Sequence, residues 1–387
     1  MNLEQLISEF RRYLFLPDPG PLEVVLGAIA ANLLPGDPVW LLLVGPPASG
    51  KTEILSSLSG LRFVHEVSTF TEAGLLSGSV SRREGATGGL LAELGKFGIV
   101  VCKDFTSVLA ESPDTRSALL AALREIYDGK WVRRLGTEGG RTLGWVGKVG
   151  LLAGVTETID RHTAVMGAMG ERFVLCRVPA LDDEGRLSQG RAAMGNVGHQ
   201  ELMREELSAA VTAFVAGLKI PSQPPELSEP EQEALVLLTD LATRCRSAVE
   251  RDGRDREVEL VPQAELLGRL QATLAQLVCG FRLIGVSNEV VGRLVQRVAL
   301  DSMSKARRAI VELLVEAPPG TQHATYSVGA NVRLPTGVAS RALEDLASHG
   351  VVVRSSDKQG AIWSASPWLR ERWQVLELSE EVAGGDS

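Results

Sequence analysis

The chain has 387 residues, of which 44% are hydrophobic and 23% are charged, an ordinary balance for a globular protein with a full core. This length predicts two or three domains. The formal net charge of −8 argues against a surface coated for nucleic acid, and no apolar run approaches the roughly 20 residues of a membrane span.

The first residues mix charges of both signs and lack the apolar core of a signal peptide, so we expect a cytoplasmic protein that does not contact a membrane. Four cysteines are widely spaced in apolar contexts, which predicts buried free thiols. They are Cys102, Cys176, Cys245 and Cys279. The histidines show no metal-ligand spacing, so a structural metal is not expected.

Residues 39–56 join an apolar run, a turn rich in glycine and proline, and an amphipathic run. The turn is a complete G-x-x-x-x-G-K-T, formed by Gly45, Pro46, Pro47, Ala48, Ser49, Gly50, Lys51 and Thr52. Its glycines let backbone N–H groups face an anion, and the helix that follows directs its positive dipole end to the same point. Lys51 suits the β- and γ-phosphates and Thr52 suits Mg²⁺. We therefore predict binding of ATP with Mg²⁺ at these residues and at the adjacent Glu53.

Up to residue 181, strand-like apolar runs alternate with helical periodicity, which predicts an α/β core with a parallel sheet. The predicted strands are 39–44, 61–70, 98–104, 146–155 and 172–178. The predicted helices are 2–14, 22–34, 53–58, 89–94 and 113–127. A polar loop is predicted at 71–88, and a hairpin with alternating apolar and basic residues at 131–144.

From about residue 182 the periodicity is helical throughout, and the range 182–303 is predicted to be an all-α lid domain. Its four predicted helices are 200–218, 229–251, 262–283 and 288–302. The segments PSQPPELSEP and RDGRDREVE between them have the composition of linkers.

Residues 304–376 are predicted to form a winged helix-turn-helix, and 377–387 a disordered tail. The predicted helices are 305–316, 326–330 and 335–349, followed by a hairpin of 351–356 and 361–365. From Met303 to Val375 there are nine basic and six acidic residues, which indicates a polyanionic partner despite the negative charge of the whole chain.

Four basic residues lie on or beside the predicted recognition helix and wing, so contact with the phosphates of DNA is expected. They are Arg333, Arg341, Arg354 and Lys358. Glu344 and Asp345 are expected to weaken that face, and a protein partner remains an alternative.

The first 180 residues resemble an AAA+ ATPase core, most clearly over roughly residues 35–180. The hairpin ahead of the strand that ends at Thr156 resembles an insertion found in the branch that holds the minichromosome maintenance (MCM) helicases, the MoxR-type chaperones and the enhancer-binding activators. The segment GGLLAELGKFGIVVCKDF is most similar to the MCM family, whose archaeal and eukaryotic members also end in a winged helix.

The resemblance implies a role for each matching residue. Lys51 and Thr52 would hold phosphate and Mg²⁺, and Asp104 would end the acidic strand. Thr156 would be a sensor that orients the attacking water, with helix capping as its alternative role. Arg172, in the sequence GERF, would be an arginine finger that reaches the ATP of a neighbouring subunit. Arg269 would be the second sensor.

The acidic motif departs from the family pattern, which ends this strand with Asp-Glu. Here the chain has Lys103, Asp104 and Phe105. Either Asp104 is a shortened base and Lys103 displaces the magnesium ligand, or Asp104 is the magnesium ligand and the base is another residue, such as Glu157 or Glu66. Both alternatives predict slow hydrolysis.

The sequence as a whole predicts an AAA+ ATPase that assembles into a ring, expected to be a hexamer of identical subunits, and acts on DNA by hydrolysing ATP. Arg133, Arg134 and Arg141 of the hairpin would grip DNA in the central channel of such a ring, or form a solvated basic surface. Two other functions remain open: a DNA-binding regulator switched by ATP, and a MoxR-like protein remodeller.

Overall fold

The structure is a computed structural model that describes residues 1–75, 89–135, 141–162, 172–254, 257–358 and 360–374. The predicted loop residues Arg82 and Arg83, the hairpin turn at 136–140 and the predicted tail lie outside the described residues. The chain divides into two compact units. The first contains Met1–Ile159, Leu175–Pro225 and Gln276–Ser287, and the second contains Asp160–Val174, Glu226–Ala275 and Asn288–Ser387. The domain ranges 1–181, 182–303 and 304–376 stay a prediction.

The first 216 residues supply seven strands and nine helices among the described residues. The strands are β1 Trp40–Val44, β2 Val64–Val67, β3 Phe97–Cys102, β4 Lys130–Leu135, β5 Arg141–Val146, β6 Lys148–Val155 and β7 Phe173–Arg177. The helices are α1 Leu3–Tyr13, α2 Gly20–Leu33, α3 Lys51–Ser56, α4 Glu72–Leu75, α5 Leu90–Leu94, α6 Thr106–Ala110, α7 Pro113–Tyr127, α8 Asp183–Gly195 and α9 Gln200–Ala216. Two 3₁₀ turns lie at Ser57–Gly60 and Glu157–Arg161.

Five of these strands form one sheet in the order β2-β3-β6-β1-β7, as the alternating pattern predicts. The parallel register sets Val44 opposite Val155 and Cys102 opposite Ala153, so β1, β3 and β6 end at the same edge. These three strands are almost wholly buried, which explains their continuous apolar runs. β4 and β5 form the predicted hairpin as a separate two-stranded sheet.

Three local predictions for this region differ from the structure. The strand predicted at 61–70 is limited to β2, whose residues are half-buried or exposed at the sheet edge. The segment predicted as a loop at 71–88 begins with α4. Helix α8 lies within the range predicted to be all-α but was not given bounds, because Gly185, Gly190 and Gly195 leave it without a clear apolar stripe. Asp182 caps it by accepting a hydrogen bond of 2.7 Å from the Gly185 N–H.

A buried asparagine joins α2 to the start of β1. Asn32 Nδ2 donates to the carbonyl oxygens of Ala28 and Val39, each at 2.9 Å, and its Oδ1 accepts from the Val39 N–H at 2.9 Å. A Cβ atom at Gly150 of β6 would lie 2.7 Å from this amide, so only glycine fits there. These contacts set the position of β1, and thereby of the loop that follows it.

The remaining elements lie beyond residue 228. The helices are α10 Glu229–Arg246, α11 Gly268–Leu283, α12 Asn288–Asp301, α13 Lys305–Glu316, α14 Thr325–Asn331, α15 Thr336–Ser348 and α16 at 367–374. The strands are β8 Glu250–Arg251, β9 Val258–Leu260, β10 His323–Ala324, β11 Val352–Asp357 and β12 Gly360–Ala365.

Two predicted helices of the lid are shorter than expected. The helix predicted at 229–251 ends at Arg246, and the segment predicted as a linker after it contains the β8-β9 pair. The helix predicted at 262–283 begins at Gly268. Glu265 forms an ion pair with Arg246 at 2.6 Å and its N–H donates to Ser247 Oγ at 3.1 Å, which holds this segment outside the helix.

The last 70 described residues contain the predicted helices and hairpin within one or two residues of their predicted ends. Strand β10 adds a third, unpredicted strand in the order β10-β12-β11, and α16 follows the sheet. Trp363 of β12 is buried, and its Nε1 donates to Thr325 Oγ1 at 2.8 Å, which joins this small sheet to α14.

The prediction of buried free thiols is confirmed for all four cysteines. Burial raises the pKa of Cys102 to about 11 and that of Cys245 to about 12, which keeps both as thiols. Among the described residues, no helix is long and apolar enough to cross a membrane. The same residues contain no group of three or more metal-ligating side chains.

The contact between α2 and α11 gives a stability test. A Cβ at Gly280 would lie 2.2 Å from the Gly27 carbonyl oxygen, whereas a Cβ at Gly190 of α8 would meet nothing within 4 Å. We expect Gly280→Ala to lower the free energy of unfolding by about 2 kcal/mol through overpacking. Gly190→Ala, the control, should raise it by up to about 1 kcal/mol through helix propensity. Equal denaturant midpoints for the two variants would contradict the packing.

Candidate functional site

The phosphate loop at residues 45–52 lies at the sheet edge where β1, β3 and β6 end. The Gly45 N–H donates to the Val155 carbonyl oxygen at 3.2 Å, which fixes the start of the loop to β6. Gly50 has φ +86°, a left-handed conformation that favours glycine, and the space beside it is open. Within the part of the chain that the structure describes, no side chain caps α3, so its first N–H groups are available to a ligand.

Lys51 is buried within this loop. Its Nζ donates to the carbonyl oxygens of Gly45 and Pro46, each at 2.7 Å, and to Ser49 Oγ at 3.0 Å. Burial lowers the pKa of Lys51, while the charges of Asp104 and Glu157 act in the opposite direction. Both carboxylates therefore lie within electrostatic range of the lysine.

Two contacts from the segment after β7 hold the loop from outside. Gln189 Nε2 of α8 donates to the Ala48 carbonyl oxygen at 2.8 Å. Arg204 of α9 forms a bidentate pair with Glu53, with distances of 2.9 and 2.8 Å. Glu53 thus joins α3 to α9. Sequence reasoning missed Gln189 and Arg204, and no motif marks either residue.

Asp104 is exposed just after β3. Its Oδ1 accepts from the Thr106 N–H at 3.0 Å, and the Phe105 N–H donates to the Gly154 carbonyl oxygen at 2.7 Å, so β6 also fixes this segment. Lys103 Nζ pairs instead with Glu66 Oε2 of β2 at 2.8 Å. The lysine is therefore held on the β2 side of β3, away from β6 and the phosphate loop.

Thr156 follows β6, between the phosphate loop and Asp104. Its Oγ1 lies 2.6 Å from Thr158 Oγ1 and 3.4 Å from Thr106 Oγ1, and its N–H donates to Thr106 Oγ1 at 3.2 Å. Three hydroxyl groups therefore cluster beside the carboxylate. Thr106 and Thr158 were missed, although each lies two positions after a predicted site residue.

Arg172 and Arg269 both fall in the second unit. Val178, just after β7, donates its N–H to the Val44 carbonyl oxygen at 2.8 Å, so β7 ends at the loop edge of the sheet. Arg172 is buried and precedes the same strand, which places it at the strand's other end. Arg269 is an exposed residue in the first turn of α11 and belongs to the second unit. The roles of both arginines stay predictions.

The predicted basic surfaces are described in part. The side chains of Arg133, Arg134 and Arg141 lie outside the described residues. The four basic residues of the C-terminal region, Arg333, Arg341, Arg354 and Lys358, are exposed. Glu344 and Asp345 are hydrogen-bonded to Arg251, and their predicted effect on this face stays a prediction.

The groups at the sheet edge fit a triphosphate with Mg²⁺. Lys51 supplies a positive charge inside the loop, and the start of α3 supplies N–H groups. Thr52 and Asp104 are exposed and supply hydroxyl and carboxylate oxygens, the ligand types that Mg²⁺ prefers. A parallel five-stranded sheet with helices, carrying this loop after β1, fits an α/β P-loop core.

No protein-family model matches the chain, and no curated protein matches it. Among solved structures, the Aeropyrum pernix Orc1 protein in complex with DNA is similar at 15% sequence identity. The match covers 96% of this chain and 97% of that chain, with a TM-score of 0.29. A TM-score of this size does not establish a shared fold.

Proposed function

We propose that this chain is an AAA+ ATPase that binds ATP with Mg²⁺, assembles into a ring of identical subunits and acts on DNA. One observation carries the nucleotide part. Lys51 is enclosed by the complete phosphate loop at the edge where β1, β3 and β6 end, with Thr52 and Asp104 exposed at the same edge. The MCM-like character of the motor rests on the sequence resemblance alone.

In this proposal Lys51 turns from the loop carbonyls to the β- and γ-phosphates, and the α3 N–H groups bind the same anion. Thr52 and Asp104 would hold Mg²⁺, which would supply positive charge against the charge that develops on the phosphate oxygens. The Thr156 hydroxyl, positioned by Thr106 and Thr158, orients the attacking water. Arg172 of a neighbouring subunit adds positive charge at the γ-phosphate.

The structure favours one of the two alternatives for the acidic motif. Lys103 pairs with Glu66 of β2, so the two side chains are engaged with each other on the β2 side of β3. Asp104 follows β3 and Glu157 follows β6, at the sheet edge that carries the phosphate loop. We therefore assign metal binding to Asp104, and we assign to Glu157 the role of the general base that takes a proton from the attacking water.

A slow ATP-dependent switch is the second proposed function, and the Lys103–Glu66 pair favours it. The family carries an acidic pair at the end of this strand, whereas this chain has Lys103 beside Asp104, and the lysine pairs with Glu66. One carboxylate of the family's pair is therefore missing. In that function, bound ATP controls assembly on DNA and little mechanical work is done. The MoxR-like alternative requires a protein partner for the C-terminal region.

Lys51→Ala should weaken binding of ATP with Mg²⁺ by about 100-fold, because charge-assisted hydrogen bonds to the phosphates are lost. Titration calorimetry measures this loss. Lys96→Ala removes an exposed lysine and is the matched control, expected to bind as the wild type does. Normal ATP binding by Lys51→Ala would overturn the proposed site.

The three proposed functions are separated by the ATPase rates of the wild type and of Lys51→Ala, measured with and without single-stranded and duplex DNA. A motor is expected to hydrolyse faster with DNA and to displace a strand from a forked duplex. A switch is expected to bind duplex DNA and to displace none. A protein remodeller is expected to show no DNA affinity even at low salt.

Glu157→Gln should lower the hydrolysis rate by about 100-fold with ATP affinity unchanged, since the base is lost and the phosphate contacts remain. Glu66→Gln is the matched control, and it should stay within about threefold of the wild type because Glu66 pairs with Lys103. Single-turnover hydrolysis measures both variants. If Glu66→Gln is the slower of the two, the assignment is wrong.

Arg172→Ala should bind ATP and hydrolyse it slowly, because the arginine would act on a neighbour's nucleotide. Mixing it with Lys51→Ala provides the test in trans. Some interfaces of a mixed ring pair an intact Lys51 with an intact Arg172, so activity should reappear. If Arg172→Ala hydrolyses normally in the assembled state, or if the mixture stays inactive, Arg172 is not an arginine finger.

A further inference from the structure

The C-terminal region carries four exposed cations on α15, on β11 and in the turns beside them, and α15 contacts β11. We call this set the basic face. It consists of Arg333, Arg341, Arg354 and Lys358. Within the described residues, none of the four forms an ion pair; Arg354 instead lies 5.4 Å from the centroid of the Trp363 ring. Arg341 lies on α15, which also carries Glu344 and Asp345, so exposed acids on this helix would cancel much of the charge.

Arg251 of β8 binds both acids. Its Nη1 donates to Glu344 Oε2 at 3.0 Å, and its Nη2 donates to Asp345 Oδ1 at 2.6 Å. The same Nη2 donates to the Arg341 carbonyl oxygen at 3.0 Å. The Arg251 side chain is only 12% exposed, so these contacts are largely shielded from water.

The remaining carboxylate oxygens are also engaged. Arg307 of α13 donates from Nη2 to Asp345 Oδ2 at 2.8 Å and from Nη1 to the Ser247 carbonyl oxygen at 2.7 Å. Ser340 Oγ donates to Glu344 Oε1 at 3.0 Å. Each oxygen of the two acids therefore accepts a hydrogen bond from within the chain, and two arginines balance two carboxylates.

We infer that Arg251 and Arg307 mask the acids of α15, so that the basic face presents net positive charge to the phosphate backbone of duplex DNA. This inference rests on the DNA-binding part of the proposed function. Arg251 is a positioning residue in this account: it contacts the acids and does not contact the nucleic acid. Double-stranded DNA is the chosen partner because it carries a dense line of phosphates, and the four exposed cations form no ion pair within the described residues.

Charge position explains why one arginine matters. Arg251 is the cation that the described residues show paired with Glu344. In the Arg251 variant, the negative charge of Glu344 would act on a nearby polyanion across less than about one Debye length. The repulsion is strongest at low salt and fades as salt rises, because mobile ions screen it. Loss of any arginine lowers the net charge by the same amount. The control variant must therefore lose an arginine at a site away from the basic face.

Arg251→Met should weaken binding of a duplex DNA by about three- to tenfold at low salt, measured by fluorescence anisotropy on the full chain, and by less at high salt. The double variant Arg251→Met/Glu344→Gln restores the charge balance and should bind within about twofold of the wild type. Arg293→Met, which changes an exposed arginine of α12 paired with Glu289, carries the same charge change and should bind normally. ATP binding and circular dichroism confirm that each variant is folded.

A second comparison uses variants that lack the Glu344 carboxylate, so that neither variant leaves this acid without its arginine. Glu344→Gln should bind about threefold more tightly than the wild type, because the charge of Arg251 is then uncompensated. Arg251→Gln/Glu344→Gln should return to wild-type affinity. Wild-type affinity for Glu344→Gln, or for a folded Arg251→Met, would overturn the inference while DNA binding stands. A wild-type chain that binds no duplex at low salt would overturn the DNA-binding function and the inference together.

Discussion

The carboxyl end of strand β6 is the constraint on which the candidate site depends. Its Gly154 and Val155 carbonyl oxygens accept from the N–H groups of Phe105 and Gly45, so one strand fixes both the phosphate loop and the segment that carries Asp104. A Cβ at Gly154 would lie 2.7 Å from the Lys103 carbonyl oxygen, which makes this close approach depend on glycine. The phosphate loop and Asp104, which would act on the same phosphate, are thereby both held by β6. This buried strand contributes no side chain to the reaction.

The loop itself is preorganised by its own lysine. Lys51 is buried, and its three hydrogen bonds to loop atoms satisfy an ammonium group that would otherwise be costly to desolvate. Phosphate oxygens would replace acceptors of the same kind, so the exchange of partners needs little rearrangement of the backbone. Asn32 secures the other end of β1. Together these contacts place the lysine before any ligand is bound.

The sequence predicts most of the fold because local patterns carry it. Continuous apolar runs identify β1, β3 and β6, and the helices α7 and α13 have their predicted bounds. Prediction fails where glycines interrupt a helix, as in α8, or where distant side chains decide a local conformation, as Arg246 does for the segment around Glu265. The site shows the same division. The phosphate loop can be predicted from the spacing of its residues. The pairs Lys103–Glu66 and Arg204–Glu53 cannot, because they join residues 37 and 151 positions apart.

Arginines distant in sequence therefore set the electrostatics of motifs that are local in sequence. Arg204 engages Glu53 beside the phosphate loop, and Arg251, 94 positions before Asp345, engages the acids of α15. In both cases a carboxylate beside a predicted anion-binding surface is neutralised inside the chain. The net charge of −8 therefore does not predict the local charge at a polyanion-binding surface. Phosphates interact with exposed charges within about a Debye length and not with the sum over 387 residues. The arrangement of ion pairs, more than the composition, decides whether such a surface attracts DNA.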